Sequence, residues 1–517
     1  MTTVDSIDSN STGLRIAKWP LAGDSSDNWM ELEPNSYKDF GAQIKTTPRN
    51  PINRNRQRRR GPPTDMDVSG GYQEDLTYFG CQRWFEGLIC AEYIEKLSLD
   101  VATVDGTTNH DYEPASGGGG FAAGDIIFAE GFTQAANNGV KLVTGSPGAT
   151  SVPSSGGGLV DETGATGTIA KIGYRFVSGD ATIAASGSRW KMHTSTKDFT
   201  TLGLTVGEWV FMGGDAANTG WVTAGNCGWA RIYSIAAHDL VLDKFFSVIP
   251  GTSLAIDAGT SKTVEIYFGR VLKNALGASI TRQLYSIERN LGIPEDGGSD
   301  EQAEYLDKVR LDQGVITYNT ADKITIDVDT MACNYDAVDA GDIRDGTRTT
   351  VIPGPAFNTS SNMFFCYLSE YDNGMGTDLL QDFVDASHTI KNNIKANKAL
   401  KVFGAKSLSA GTFEVSATLT GYFVETAFNQ AVRASGETSH GIGLIGENDG
   451  VNVGIVFDMP LITLSDGRLK VAQDEPITIP LTCDASTAID VNPNSDYTFL
   501  CNFFDCLPDL ATPPASQ

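Results

Sequence analysis

Several things are missing from this 517-residue chain, and each absence narrows its function. No apolar run approaches the roughly 18 residues that a membrane-spanning helix needs. The opening, MTTVDSIDSNSTGLRIAKW, has neither the basic patch nor the apolar stretch of a secretory leader, so the expectation is a protein made and kept in a cytoplasm until it assembles. The eight cysteines (Cys81, Cys90, Cys227, Cys333, Cys366, Cys483, Cys501 and Cys506) form no C-x-x-C and have no histidine pair at zinc-finger spacing. In a reducing compartment they read as small buried hydrophobes, with Cys501 and Cys506 the only pair at close spacing. The five histidines, His110, His193, His238, His388 and His440, are isolated, and none sits in H-E-x-x-H or beside a nucleophile. The strand-to-helix G-x-S-x-G elbow is absent, and the glycine runs lack the Lys-Ser/Thr that completes a phosphate loop. These absences argue against a metal centre, a bound cofactor or a hydrolytic triad.

Positive charge is also scarce. Against 64 acidic residues there are 38 lysines and arginines, a formal charge of −26. Six of those arginines lie between Arg49 and Arg60, in RNPINRNRQRRR, with no acid among them. An acidic body repels nucleic acid, whereas a short basic arm seeks phosphate or a carboxylate-rich surface. Pro48, Pro51, Pro62 and Pro63 flank the cluster and suggest an extended arm or hairpin tip. Arg54, Arg56, Arg58, Arg59 and Arg60 are the candidate site residues. Docking on the acidic face of a neighbouring subunit through Arg–carboxylate pairs is the favoured role, with DNA contact and a solvated loop as alternatives. Asp336, Asp339, Asp342 and Asp345 recur every third residue, but the spacing is not that of a calcium loop, and a solvated loop is expected there.

The length suggests three or four units. Strand signals dominate, as in the alternation of Ile324-Thr325-Ile326-Asp327-Val328. The span from Ile455 to Cys483 reads as a hairpin or meander turning at Asp466-Gly467. Helices are expected over Gln82–Lys96, Asp378–Ala396 and Glu425–Ala434. One pattern occurs twice: Asp65–Leu88 (DMDVSGGYQEDLTYFGCQRWFEGL) and Gly411–Val432 (GTFEVSATLTGYFVETAFNQAV) each run a strand directly into a helical stretch. Val68-Ser69 aligns with Val415-Ser416, and Leu76 with Phe423. The glycine- and serine-rich stretch 101–167 is expected to be loops and linker, and 168–274 a small inserted β-barrel or sandwich.

The N-terminal run from SNSTGLRIAKWP through NRNRQRRRGPPTDMDVSGGYQEDLT, the LYSIERN segment at Leu284–Asn290 and the C-terminal GTFEVSATLTGYFVETAFNQAV…GIVFDMPLITLSDGRLKVAQDEPITIPLTC together resemble tail tube (major tail) proteins of long-tailed bacteriophages. They cover about half of the chain and leave out roughly Asp100 to Asn274. The resemblance implies a mainly β protein with a few helices, holding two tail-tube-type β-sandwich or barrel domains plus the inserted β-domain as a decoration. The first tube domain would comprise 1–100 and 275–345, and the second 346–517. It also implies a structural virion protein with no enzymatic activity. Copies would form trimeric rings of pseudo-sixfold symmetry, alternatively hexameric ones, stacked into a tube through which phage DNA passes without specific binding. Tape measure and tail terminator or tip proteins would be partners. A surface- or carbohydrate-binding fibre or adhesin is the competing reading.

Overall fold

Period-two alternation is realised along most of the chain: 53% of it is strand, and one α-helix is present among the described residues. The computed structural model describes residues 9–50, 52, 54, 57–155, 158–274, 276–293, 301–337, 343–371, 378–380, 383–423, 433, 437–489 and 492–512. They fall into two units. The first draws on Met1–Ala91, Gly277–Thr359 and Val384–Thr420, the second on Glu92–Leu276, Ser360–Phe383 and Gly421–Gln517.

The first unit is organised by one long strand, Gln302–Asn319. Its first half pairs with Tyr285–Gly292 and Asn334–Ala337, and its second half with Thr325–Ala332 and Phe383–Lys391. The change of partner occurs at Lys308, which has φ +52° and is the extra residue where Tyr285 faces Val309 but Ser286 faces Asp307. A bulge of this kind bends a strand and lets it serve two sheets. Thr325–Ala332 passes its other edge to Pro63–Asp75, which pairs in turn with Pro34–Thr46. The alternation read from Ile324 to Val328 is present: Ile326, Val328, Thr330 and Ala332 point inward.

The helix runs over Tyr78–Ile89, four residues earlier than expected at its start and seven at its end. Thr77 sets the start by accepting a hydrogen bond from the Gly80 N–H at 3.1 Å, and Cys90 ends the helix in a left-handed conformation with φ +55°. Trp84, Phe85 and Leu88 are fully buried, and Tyr285 packs so close to Gly87 that a Cβ there would lie 2.4 Å from its ring. The helix expected over Asp378–Ala396 is not formed. Asp378–Leu380 and Phe383–Lys391 are strands, the latter with Ala386, His388 and Ile390 inward at every second position. That period-two burial, with a ladder on Gln313–Asn319, outweighs the helical reading of the segment. The Glu425–Ala434 helix, Arg433 apart, lies outside the described residues.

In the second unit, the stretch 101–167 is not a linker. Ser98–Asp105, Asp111–Pro114, Val152–Ser155, Gly139–Val143, Asp125–Glu130 and Glu162–Arg175 pair in that order, and the last returns to the first, closing a six-stranded barrel. Val101, Tyr112, Phe121, Ile127, Phe132, Val143 and Ile169 fill it. The glycine content belongs to this small radius: a Cβ on Gly167 would meet the Phe132 ring at 2.5 Å. Beyond its pairing with Ser98–Asp105, Glu162–Arg175 takes Glu265–Tyr267 as its partner on that edge from Gly173, while Gly173 and Tyr174 stay paired with Ile126 and Asp125. The ladder continues through Trp209–Met212, Gly228–Ile235, Asp239–Ser247, Arg189–His193 and Thr182–Ser186.

A further sheet in the same unit is centred on Val451–Ser465, paired with Thr438–Asn448 on one edge and with Leu500–Leu507 and then Thr478–Ser486 on the other. The expected hairpin exists, but Ser465 pairs with Thr482, so a long loop replaces a two-residue Asp-Gly turn. Asp466 takes the left-handed conformation (φ +68°) and its carboxylate pairs with Arg468. Phe365 stacks on Trp209 (ring centres 4.8 Å apart) and on Phe246 (4.7 Å) where this sheet meets the barrel-derived strands.

Beside that aromatic stack lies Arg231, 1% exposed. Its Nε donates to Asp243 at 2.9 Å and its Nη1 to Asp458 at 3.1 Å, while Tyr367 donates its hydroxyl to Asp458 at 2.8 Å. Burial opposes the guanidinium charge, yet Asp243 and Asp458 hold it well above its ordinary range. Removing one partner of such a group leaves uncompensated buried charge. Arg231→Met should therefore cost about 3–5 kcal/mol of unfolding free energy in denaturant titrations, far more than the loss of an exposed ion pair such as Lys18–Glu86.

Candidate assembly surface

The arginine cluster stands at the end of the Pro34–Thr46/Pro63–Asp75 hairpin. The ladder runs from Pro34 facing Glu74 to Thr46 facing Pro63. It continues through Thr47 N–H to Pro62 O (3.2 Å) and Arg59 N–H to Arg49 O (3.1 Å). Gly61 is required where the strands close up: a Cβ would lie 2.2 Å from the Thr47 carbonyl oxygen. The prolines remove ladder donors, which blunts the edges of the arm against indiscriminate strand pairing.

Arg54, Arg58, Arg59 and Arg60 are exposed, and Arg56 lies outside the described residues. Among the described residues no carboxylate is within ion-pair distance of Arg49, Arg54, Arg58, Arg59 or Arg60. Ile52, also exposed, adds an apolar side chain to the tip. Lower on the arm the charges are matched. Lys398 reaches Asp65 at 2.9 Å and Asp67 at 2.8 Å, and Lys45 pairs with Asp67. Those hydrogen bonds, from Lys398 first and then Lys45, lower the Asp67 carboxyl from its ordinary value. The hairpin is thus neutralised along its shaft and cationic at its end.

At the opposite end of the same hairpin an open groove of about 960 Å³ is lined by Glu31, Glu33, Tyr37, Glu74, Asp75, Thr77 and Thr350, among others, with no lysine or arginine among the described residues of its wall. Glu74 is 3% exposed and accepts a hydrogen bond from Trp84 Nε1 at 2.9 Å. Burial pushes its carboxyl up to about 8, with the Trp84 hydrogen bond opposing. These acids are scattered in the sequence and were not singled out there. The available signal was parity: Tyr72 and Glu74 share the inward phase of the strand Pro63–Asp75, and Leu76 just past its end continues it.

No catalytic grouping emerges from the other candidates among the described residues. All eight cysteines are free. His388 lies 3.2 Å from the Tyr318 hydroxyl, and His440 lies 2.6 Å from the Tyr367 carbonyl, both fully buried. Asp336 pairs with Arg344 at 3.2 Å, Asp345 accepts Trp29 Nε1 through its carbonyl, and Asp339 and Asp342 lie outside the described residues. Asp105, Asp111 and Glu113 each bring one oxygen within 4.8 Å of the others, but Asp105 is engaged by the N–H groups of Thr107, Thr108 and Asn109. In the repeated pattern, the first strand and helix are both present. The second strand is Glu414–Tyr422, and the stretch after it is outside the described residues.

A model of the phage tail tube protein family matches residues 9–485. The chain belongs to that family. It is a structural protein of the phage tail, located in the virion, whose family assembles into a tube with other tail proteins. The match spans the barrel region that the sequence resemblance left aside. No curated protein gives a significant match.

Glu74 gives this surface a measurable pH dependence. Its folded-state pKa is raised, so its contribution is fully present below about 4.5 and is lost as the pH rises through about 8. Glu74→Gln keeps an acceptor for Trp84 and has no charge to bury. It should exceed the wild type in unfolding free energy by about 4–5 kcal/mol at pH 9 and match it at pH 4, as read from denaturant melts across that range.

Proposed function

We propose that copies of this chain polymerise as stacked rings into the phage tail tube and form the channel for genome ejection, with no catalytic step. The observation that carries this reading is the family match over residues 9–485, and the unpaired arginine tip agrees with it. Three chains, each supplying two units, would close a ring of pseudo-sixfold symmetry. Support for two units per chain comes from two compact bodies, each centred on a long strand that changes partner midway (Gln302–Asn319 and Val451–Ser465). Among the described residues, the strands from Ser98 to Tyr267 pair only with one another, which suits an elaboration of the tube wall that leaves the remaining ladders free for ring closure. Sharing open strand edges between subunits removes an aggregation hazard and builds a continuous wall. The net charge of −26 favours an acidic channel that DNA traverses without sticking.

Electron micrographs of the purified protein at high concentration should show stacked rings of even width. Discrete oligomers at every concentration would instead favour the fibre or adhesin reading. The triple variant Arg58→Ser/Arg59→Ser/Arg60→Ser should raise the concentration needed for stacking several-fold while leaving circular dichroism unchanged, and unaltered stacking would return these residues to the status of a solvated loop.

A further inference from the structure

We propose that the acidic groove at the base of the hairpin receives the arginine tip of a second copy of this chain, so that subunits join head to tail. This rests on the tube reading above and specifies the contact within it. Charge is the first argument. Glu31 and Glu33 line the groove, and neither has an ion-pair partner among the described residues. Asp75 is held at the rim by Lys323 at 2.8 Å. Arg83, on the helix, is attracted by the Glu31 and Glu74 carboxylates but makes no ion pair with them, and its guanidinium donates to the carbonyls of Glu31 (3.1 Å) and Thr350 (3.2 Å). The groove therefore has carboxylates to spare, and the tip has guanidiniums to spare. Arg–carboxylate pairs can be bidentate and fix register as well as attraction.

Geometry is the second argument. Pro34 and Glu74 mark one end of the ladder and line the groove, whereas Arg49 and Arg59 mark the other end. At about 3.3 Å per residue, the strand from Pro34 to Arg49 spans roughly 40–50 Å. A paired ladder of that length cannot fold its own tip back to its own base, so the occupant must come from another copy. Tip and groove are different surfaces, which makes the contact heterologous, and a heterologous contact that translates yields an open filament and not a closed dimer. One stiff element thus carries a plug at one end and a socket at the other, and its length sets the axial repeat at no more than roughly 50 Å.

Charge exchange tests the contact. One variant carries Arg58→Glu/Arg59→Glu/Arg60→Glu, a second carries Glu31→Lys/Glu33→Lys, and polymer is read by sedimentation and electron microscopy. Each alone should lose at least tenfold in polymer at a concentration where the wild type is assembled. An equimolar mixture should regain it, because each variant's tip then meets the other's groove. Circular dichroism checks folding, and Glu33→Lys alone, at an exposed side chain, serves if the double groove variant is unstable. Normal polymerisation by the groove variant, or failure of the mixture to recover, would overturn this contact while leaving the tube reading in place. A wild type that never polymerises would overturn the tube reading itself.

Discussion

The antiparallel ladder between Pro34–Thr46 and Pro63–Asp75 holds the two charged surfaces of the first unit at opposite ends of one stiff element. It is anchored on one edge by Thr325–Ala332, which ties it to the long organising strand of the first unit, and along its shaft by Lys45, Asp65, Asp67 and Lys398. Exposed pairs of this kind contribute little stability individually. Their effect is positional: they match the acids of the shaft and leave the arginines of the tip as unmatched charge. The same ladder delivers Glu74 to the groove wall at its other end.

Charge elsewhere in the molecule is handled in the opposite way. Arg231 with Asp243 and Asp458, Lys96 with Glu208, and Lys171 with Asp125 are buried pairs inside the second unit. Buried pairs of this kind seldom add net stability over apolar packing, but they penalise any arrangement that separates the partners. A subunit that must repeat identically along a filament benefits from such a fixed internal geometry. The two charge regimes therefore divide the work: buried pairs hold the subunit to one shape, and exposed unpaired groups are available to neighbours.

Much of this was legible in the sequence, and what was missed has physical causes. The alternation at Ile324–Val328 and the proline-flanked arginines gave a strand and a hairpin tip, because both are set by neighbours close in the chain. The strand at Phe383–Lys391 was read as helix because its inward residues include Ala386 and His388, which carry no strong strand preference; long-range pairing with Gln313–Asn319 decides it. Within the barrel, the stretch 101–167 was read as loops and linker because closing a narrow barrel favours glycine where a side chain would collide, as at Gly167, and glycine-rich composition is also what a linker shows. The acidic groove was invisible because Glu31 and Glu33 lie some forty residues from Glu74 and Asp75 and meet only through strand pairing.

In the proposed assembly this tail tube protein propagates through one hairpin seated in the next subunit. The most direct measurement is a cryo-electron microscopy reconstruction of the polymer at side-chain resolution. Guanidinium groups of Arg58, Arg59 or Arg60 should lie within hydrogen-bond distance of Glu31 or Glu33 of an adjacent copy, with an axial repeat no longer than roughly 50 Å. An arm lying free in solvent, or seated on a surface that lacks these acids, would contradict it.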